Sequence, residues 1–503
     1  MESALRFYFR GQIVEVRGPS IRTTVLEWLR TLPGARGTKE GCAEGDCGAC
    51  TVVVGELDAA GCLLLRPVNA CIRLLPSLHG KALFTVEDLE AMAGGQAHPV
   101  QQALVEHHGS QCGFCTPGFA MSLFAAYESA GAAVPRRAEL ADALAGNLCR
   151  CTGYRPILDA GEAMFQAAPV KLARAPVVAA LKPIAQGPGL AYEAFDPGRG
   201  DTRPARFVAP RSVAAFSALR LAEPGASLLA GGTDLVLSVT KQLRELGDIH
   251  YLGDVAELQT IERSPEALLI GAAVTLEEAW AALVEQRPAL ARYAKRFAGP
   301  PVRHAGTLVG NLANGSPIGD AAPVLMVAGA VLVLARGETR RELGLEDFYL
   351  AYRSNALAPG EWVAAVRVPA PRPGEALRAW KIAKRHDSDI SAVAAGLAIE
   401  LDGSGRVRAA RLAFGGMAAT VRRAPGAESA LIGQLWNESA LRAAQAALAQ
   451  DFAPIDDFRA SADYRCQVAA ALLRRFWLAP RRENPLAEAE LEVWSALPLG
   501  EGE

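Results

Sequence analysis

No apolar run in this 503-residue chain is long enough for a membrane-spanning helix. The longest, from Ala321 to Ala335, is interrupted by Pro323 and Gly329. An excess of one charge is also missing: 52 Lys and Arg stand against 54 Asp and Glu, a formal net charge of −2. A nucleic-acid binder would show a basic excess or stripe, and neither is present. The N-terminus, MESALRFYFRGQIVEVRG, carries a charge every few residues and lacks the apolar centre of a secretory signal. A cytoplasmic protein is expected, one that binds neither nucleic acid nor membrane. No GxGxxG follows a strand anywhere, so a Rossmann dinucleotide domain has no support. Beyond residue 151 cysteine is all but absent: Cys466 stands alone and reads as a small buried hydrophobe.

The length calls for several domains. Residues 5–16 alternate as two short strands about the turn at Arg10-Gly11, and Ser20 to Leu32 has a helical face of Val25, Leu26 and Leu29. A small mixed unit of helix and strand is expected over residues 1–84. Residues 85–168 change to helical spacing, over 100–108, 118–129, 137–145 and 157–168. The Ala/Pro/Gly-rich stretch 169–203 reads as a linker. Beyond it helix and strand alternate, with a break at the Pro-rich segment 370–375, which divides 204–374 from 375–490.

Nine of the ten cysteines lie in the first 151 residues. In a long chain without an export signal, such clustering points to metal or redox chemistry rather than disulfides. Cys42, Cys47 and Cys50 form C-x4-C-x2-C, and Cys71 completes four thiols in the spacing of plant-type 2Fe–2S ferredoxins. Gly41, Gly45 and Gly48 suit a loop that bends tightly around a cluster. Zinc, the rival, prefers paired short spacings. Cys112 and Cys115, in QCGFCTPG, pair with Cys149 and Cys151, in LCRCTGYRP. By itself this second set also suits zinc; beside a ferredoxin loop, a second 2Fe–2S cluster in series is the favoured reading. Cys62 reads as structural.

These motifs together resemble the iron–sulfur half of the xanthine dehydrogenase family of molybdenum hydroxylases. The resemblance implies a multidomain α+β protein: a ferredoxin-like β-grasp domain, a helical-bundle 2Fe–2S domain, a two-part FAD-binding domain and an α/β C-terminal flavoprotein domain. It also implies that Gln111 touches a molybdopterin held by a partner subunit.

The flavin half shows as two Gly-rich segments. An apolar strand runs into Ala230, Gly231, Gly232, Thr233 and Asp234, a turn that can offer successive N–H groups to a pyrophosphate. The second, residues 303–324, is dense in Gly, Asn and Ser. Both are similar to the family's FAD-binding domain. The resemblance assigns Ala230–Thr233, Thr307, Gly310 and Asn311 to the phosphates and Asp320 to polar groups of FAD. It lays Phe297 over the flavin ring, brings Lys381 to the flavin edge, and puts Tyr352 and the 385–389 stretch by a nicotinamide pocket. Asp234 stands where some relatives have Glu.

Single-chain members of the family continue into a molybdenum-binding domain, whereas this chain stops at Glu503. The expectation is therefore an electron-transfer subunit working with a large molybdenum-binding subunit, two copies of each. Xanthine and hypoxanthine would be oxidised to urate on the partner, and electrons would reach NAD+ through two 2Fe–2S clusters and FAD. The rivals are the same role for an aldehyde, nicotinate or CoA-thioester substrate, and a zinc-stabilised interaction scaffold.

Overall fold

Arg10 and Gly11 both take left-handed backbone conformations, φ 49° and 83°, which closes a two-residue hairpin between the strands Ala4–Phe9 and Gln12–Arg17. These join Ala82–Phe84, Thr51–Leu57 and Leu63–Asn69 in one five-stranded sheet, in which only Ala4–Phe9 and Ala82–Phe84 run parallel. The helix Val25–Thr31 packs Trp28 edge-on against Phe7 and Phe9. It begins five residues later than the periodicity predicts, because Thr24 is extended (ψ 158°) and forms a capping box with Glu27. The computed structural model describes residues 1–490 apart from 132, 482, 483, 488 and 489; the C-terminal tail, 496–503, lies outside the described residues.

The helical domain comprises Val86–Met92, Pro99–Glu106, Thr116–Ser129, Arg137–Leu144 and Arg155–Ala163. The 169–203 stretch, expected as a linker, is structured. It holds the helix Arg174–Ala185, whose Val177, Leu181 and Ile184 are buried although Pro183 sits inside it. The strand Leu190–Ala194 follows and pairs with Ala205–Ala209. Composition misled here: Ala- and Pro-rich sequence still has an apolar face to bury.

Residues 190–369 form two larger sheets and a two-stranded hairpin, Tyr349–Ala351 with Ser354–Asn355. One runs Leu190–Ala194, Ala205–Ala209, Ile249–Tyr251, Ser227–Leu229. Its Phe207, Leu229 and Tyr251 share one hydrophobic core with Leu5, Phe7 and Leu78 of the first domain. The other is an antiparallel five-stranded sheet centred on Trp362–Pro369. The C-terminal part is an antiparallel sheet, Glu375–Ile382, Val393–Leu401, Val407–Gly415 and Arg422–Arg423, backed by the helices Glu438–Asp451 and Ala462–Leu478.

A charged network crosses from the first domain to the segment after residue 190. Lys81 lies 3.4 Å from both Glu56 and Asp254 and donates to the Tyr251 hydroxyl at 3.1 Å. Arg66 bridges Glu56 and Glu278. Burial pushes the Glu56 carboxyl upward, but Lys81, Arg66 and Arg73 outweigh it and hold it down at about 2. A depressed carboxyl stabilises the fold above its unfolded pKa of 4.5 and loses that contribution as pH falls toward 2. Glu56→Gln is therefore expected to cost about 3 kcal/mol at neutral pH. That gap should shrink as denaturation is repeated between pH 4.5 and 2; a constant gap would show that the network is not coupled to folding.

Candidate functional site

The loop before Thr51–Leu57 wraps its thiols inward. Cys42 Sγ receives the N–H groups of Glu44 and Cys47 at 3.5 and 3.4 Å, and Asn69 Nδ2 approaches Cys50 Sγ at 3.9 Å. Hydrogen bonds from the Cys47 and Cys71 thiols hold Cys42 well below the usual thiol range, and Cys71 does the same for Cys50. Cys47 and Cys71, as the donors, are pushed up. Gly45 and Gly48 take positive φ (81° and 69°), and a Cβ on Gly48 would lie 2.2 Å from the Gly146 carbonyl oxygen. This close turn needs glycine.

The second set sits where two helices begin. Cys115 caps Thr116–Ser129, and Cys149 and Cys151 precede Arg155–Ala163, so both helix N-termini favour negative charge there. Cys115 is in thiol contact with Cys149, and Cys112 with Cys151. Burial raises Cys149, but the Thr152 hydroxyl, at 3.2 Å, and N–H, at 3.5 Å, outweigh it and the thiol is lowered. Burial and the Cys149 thiol push Cys115 up to about 12. Cys112, Cys151 and Gln111 are exposed.

Among the described residues, no three His, Cys, Asp or Glu side chains are grouped as one bound ion would require. The thiols of the first set form a continuous chain, Cys47 to Cys42 to Cys71 to Cys50, and those of the second touch as Cys112 with Cys151 and Cys115 with Cys149. Four neighbouring thiols in each set match the number a two-iron rhomb takes, two thiolates to each iron. The two sets also join: Leu148 N–H, adjacent to Cys149, donates to the Cys47 carbonyl at 2.9 Å. Buried Asn147 donates to Gly48 O at 3.0 Å.

A cleft of about 870 Å³ opens beside the first loop. Gly45 and Asp46 line it together with the Gly231–Thr233 turn, Thr307 and Asn311. Thr307 Oγ1 accepts from Gly310 N–H at 3.0 Å, and Gly231 lies so close to Ala305 that a Cβ would be 2.0 Å from its carbonyl oxygen. Asn311 Oδ1 is buried with no hydrogen-bond partner in the protein, the kind of orphan a bound ligand satisfies. Every residue assigned to FAD from the sequence lines this cleft, from Ala230 to Lys381 and including Asp234, Phe297 and Asp320.

Three of the residues named from the sequence have further contacts in the structure. Lys381 and Asp320, both assigned to FAD by the resemblance, form a buried ion pair at 2.7 Å, with Ser391 donating to the second Asp320 oxygen at 2.6 Å. Tyr352 is not among the residues lining the cleft: it is 60% exposed in a hairpin turn, beneath the Arg353 guanidinium. Sequence reasoning missed Asp46, Trp362, Phe458 and Arg459 as cleft residues. Only Asp46, inside the cysteine loop, carried a local signal.

Comparison with known proteins follows the same order along the chain. Residues 85–162 match the [2Fe-2S] binding domain, 203–371 the FAD binding domain in molybdopterin dehydrogenase, and 378–479 the CO dehydrogenase flavoprotein C-terminal domain. The xanthine dehydrogenase of Emericella nidulans is 34% identical over 505 residues, covering 90% of this chain and 36% of that protein. The xanthine dehydrogenase/oxidase of Mus musculus is 30% identical, covering 97% and 40%. The chain thus spans well under half the length of these curated relatives. A carbon monoxide dehydrogenase structure from Hydrogenophaga pseudoflava is 28% identical with a TM-score of 0.50, covering 54% of this chain and 94% of that one. The reconstituted CO dehydrogenase of Oligotropha carboxidovorans is 29% identical, also at 0.50, covering 53% and 94%. Domains matched in this order, with relatives aligned along most of the chain, show that the protein belongs to the molybdenum hydroxylase family and forms an iron–sulfur and FAD-binding part of it.

Proposed function

We propose that this chain is the electron-transfer part of a xanthine dehydrogenase, carrying electrons from a molybdopterin on a large partner subunit to NAD+. The overall reaction would turn xanthine, water and NAD+ into urate, NADH and a proton, in a cytoplasmic assembly of two copies of each subunit. When bound, 2Fe–2S clusters would supply one-electron carriers, and FAD would gather two electrons and release them as hydride.

The observation that carries this reading is continuity. The hydrogen bond from Leu148 N–H to Cys47 O joins the two thiol sets, and Gly45 and Asp46 belong both to the first thiol loop and to the flavin cleft. Cys42, Cys47, Cys50 and Cys71 would hold one cluster, and Cys112, Cys115, Cys149 and Cys151 the other. The Gly231–Thr233 turn would take the FAD pyrophosphate. Lys381, next to the flavin, would favour its reduced, anionic form, although Asp320 offsets part of that charge. Exposed Gln111, Cys112 and Cys151 leave the second set accessible from outside the chain, as a donor on a partner requires.

The purified protein is expected to contain about four irons and four acid-labile sulfides, and to give two distinct paramagnetic signals on reduction. Cys149→Ser should remove one signal and spare the other. Alone, the chain should oxidise NADH with a dye acceptor and show no xanthine-dependent NAD+ reduction. Two irons with zinc at the second set would overturn the proposal. The similarity to carbon monoxide dehydrogenases favours a second reading, the same relay serving another molybdenum hydroxylase substrate; the identity of the co-purifying large chain separates the two.

A further inference from the structure

Phe458 is 78% exposed, yet the turn that carries it is firmly built. Asp457 N–H donates to the Ala460 carbonyl at 3.1 Å. Asp457 Oδ1 accepts from the N–H groups of Arg459 and Ala460 at 2.8 and 3.0 Å, and from Arg465 at 2.7 Å. Arg465 is itself buried and donates to the carbonyls of Ala392 and Gly416, so the turn is tied to the sheet beneath it. From the other side, Lys384 donates to the Phe458 carbonyl at 2.8 Å. The Arg459 guanidinium stands over the phenyl ring, 4.3 Å from its centroid.

Phe458 and Arg459 line the flavin cleft together with Arg385, Ile390 and Lys381. An apolar ring fixed in water at the edge of a small-molecule cleft packs little of its own surface, and none of the bonds above needs a phenyl group. What such a ring offers is a flat face that is already ordered, so a flat partner stacks on it with little further loss of entropy. The cation beside it, loosely paired with Asp457 at 3.8 Å, suits an anion attached to that partner, because a guanidinium pairs well with phosphate.

We propose that Phe458 and Arg459 grip the hydride-accepting dinucleotide: an aromatic base stacks on the Phe458 ring and Arg459 pairs with a phosphate of the same molecule. This rests on the reading that NAD+ is the acceptor. The turn thus gives the C-terminal domain a share in acceptor binding, alongside the Gly-rich segments that line the same cleft.

The test is equilibrium binding of NAD+ to the oxidised, FAD-loaded full chain by calorimetry, with flavin and iron contents measured on each variant. Phe458→Ala should weaken binding about tenfold, while Phe458→Trp, which still stacks, should stay within about twofold of the original protein. Arg459→Glu should also weaken binding about tenfold or more, and Arg459→Lys by less. Flavin and iron contents should not change. Unaltered NAD+ affinity in Phe458→Ala would overturn the grip while leaving NAD+ as the acceptor, and so would loss of flavin from that variant. No binding of NAD+ by the unsubstituted protein would instead overturn the acceptor reading along with it.

Discussion

Gly231→Val is expected to yield a folded protein that keeps its iron and loses its flavin. A Cβ at Gly231 would lie 2.0 Å from the Ala305 carbonyl oxygen and 2.5 Å from Gly306 Cα. Both obstacles are backbone, so no rotamer change relieves them; the turn after Ser227–Leu229 must move away from the second Gly-rich segment. That movement separates the two walls that would hold the FAD phosphates. Flavin bound per iron should fall at least tenfold, about 1.4 kcal/mol or more of lost affinity. Gly232 makes a useful contrast. Its φ is +78°, but an added Cβ meets the side-chain ends of Leu229 and Val236 at 3.2 Å and the Ile72 carbonyl oxygen at an ordinary contact of 3.6 Å. Gly232→Ala should therefore cost only the strain of a left-handed residue, about 1–3 kcal/mol, and keep more flavin than Gly231→Val. Normal flavin absorbance in Gly231→Val would mean that FAD is held elsewhere.

The second large effect is expected at Lys381. Replacing it with Met leaves the Asp320 carboxylate buried, 8% exposed, with Ser391 as its remaining side-chain partner. Removing one member of a buried ion pair costs about 3–5 kcal/mol, most of it the burden of the charge left behind. The loss should appear as faster hydrogen exchange in the strand Glu375–Ile382, which carries Lys381, and in the helix Ala321–Val327, which follows Asp320. Lys381→Met/Asp320→Asn, which removes both charges, should recover most of the protection. NAD+-linked turnover should remain slow in both variants, because neither keeps a positive charge beside the flavin. Recovery of turnover in the double variant would mean that Lys381 acts only through the stability of the cleft.

The candidate site was legible wherever the residues proposed for it are close in sequence. Three thiols of the first set span nine residues, and the Gly-rich turn at 231–233 follows directly from its strand. In such segments local spacing already limits what the backbone can surround. The helical spacing of residues 118–129 likewise needed no tertiary information, because the segment is apolar enough to be buried nearly all round. Composition served less well at residues 169–203, where Ala and Pro suggested a connector and packing made a helix.

The sequence by itself determined the thiol loops, the glycine turns, the order of the domains and the family they resemble, since each of these is written over short stretches of chain. Tertiary structure decided the rest. Lys381 and Asp320 are 61 residues apart, and Leu148 and Cys47 are separated by a whole domain boundary. These pairs meet because the sheets and helices that carry them dock on shared hydrophobic cores, which has no local signature. The same docking leaves Tyr352 outside the cleft and brings Phe458, from the far end of the chain, to its edge. Burial then gives these contacts their weight: a charge or carbonyl removed from water must find its partner within the fold, and only the folded chain specifies which partner is in reach.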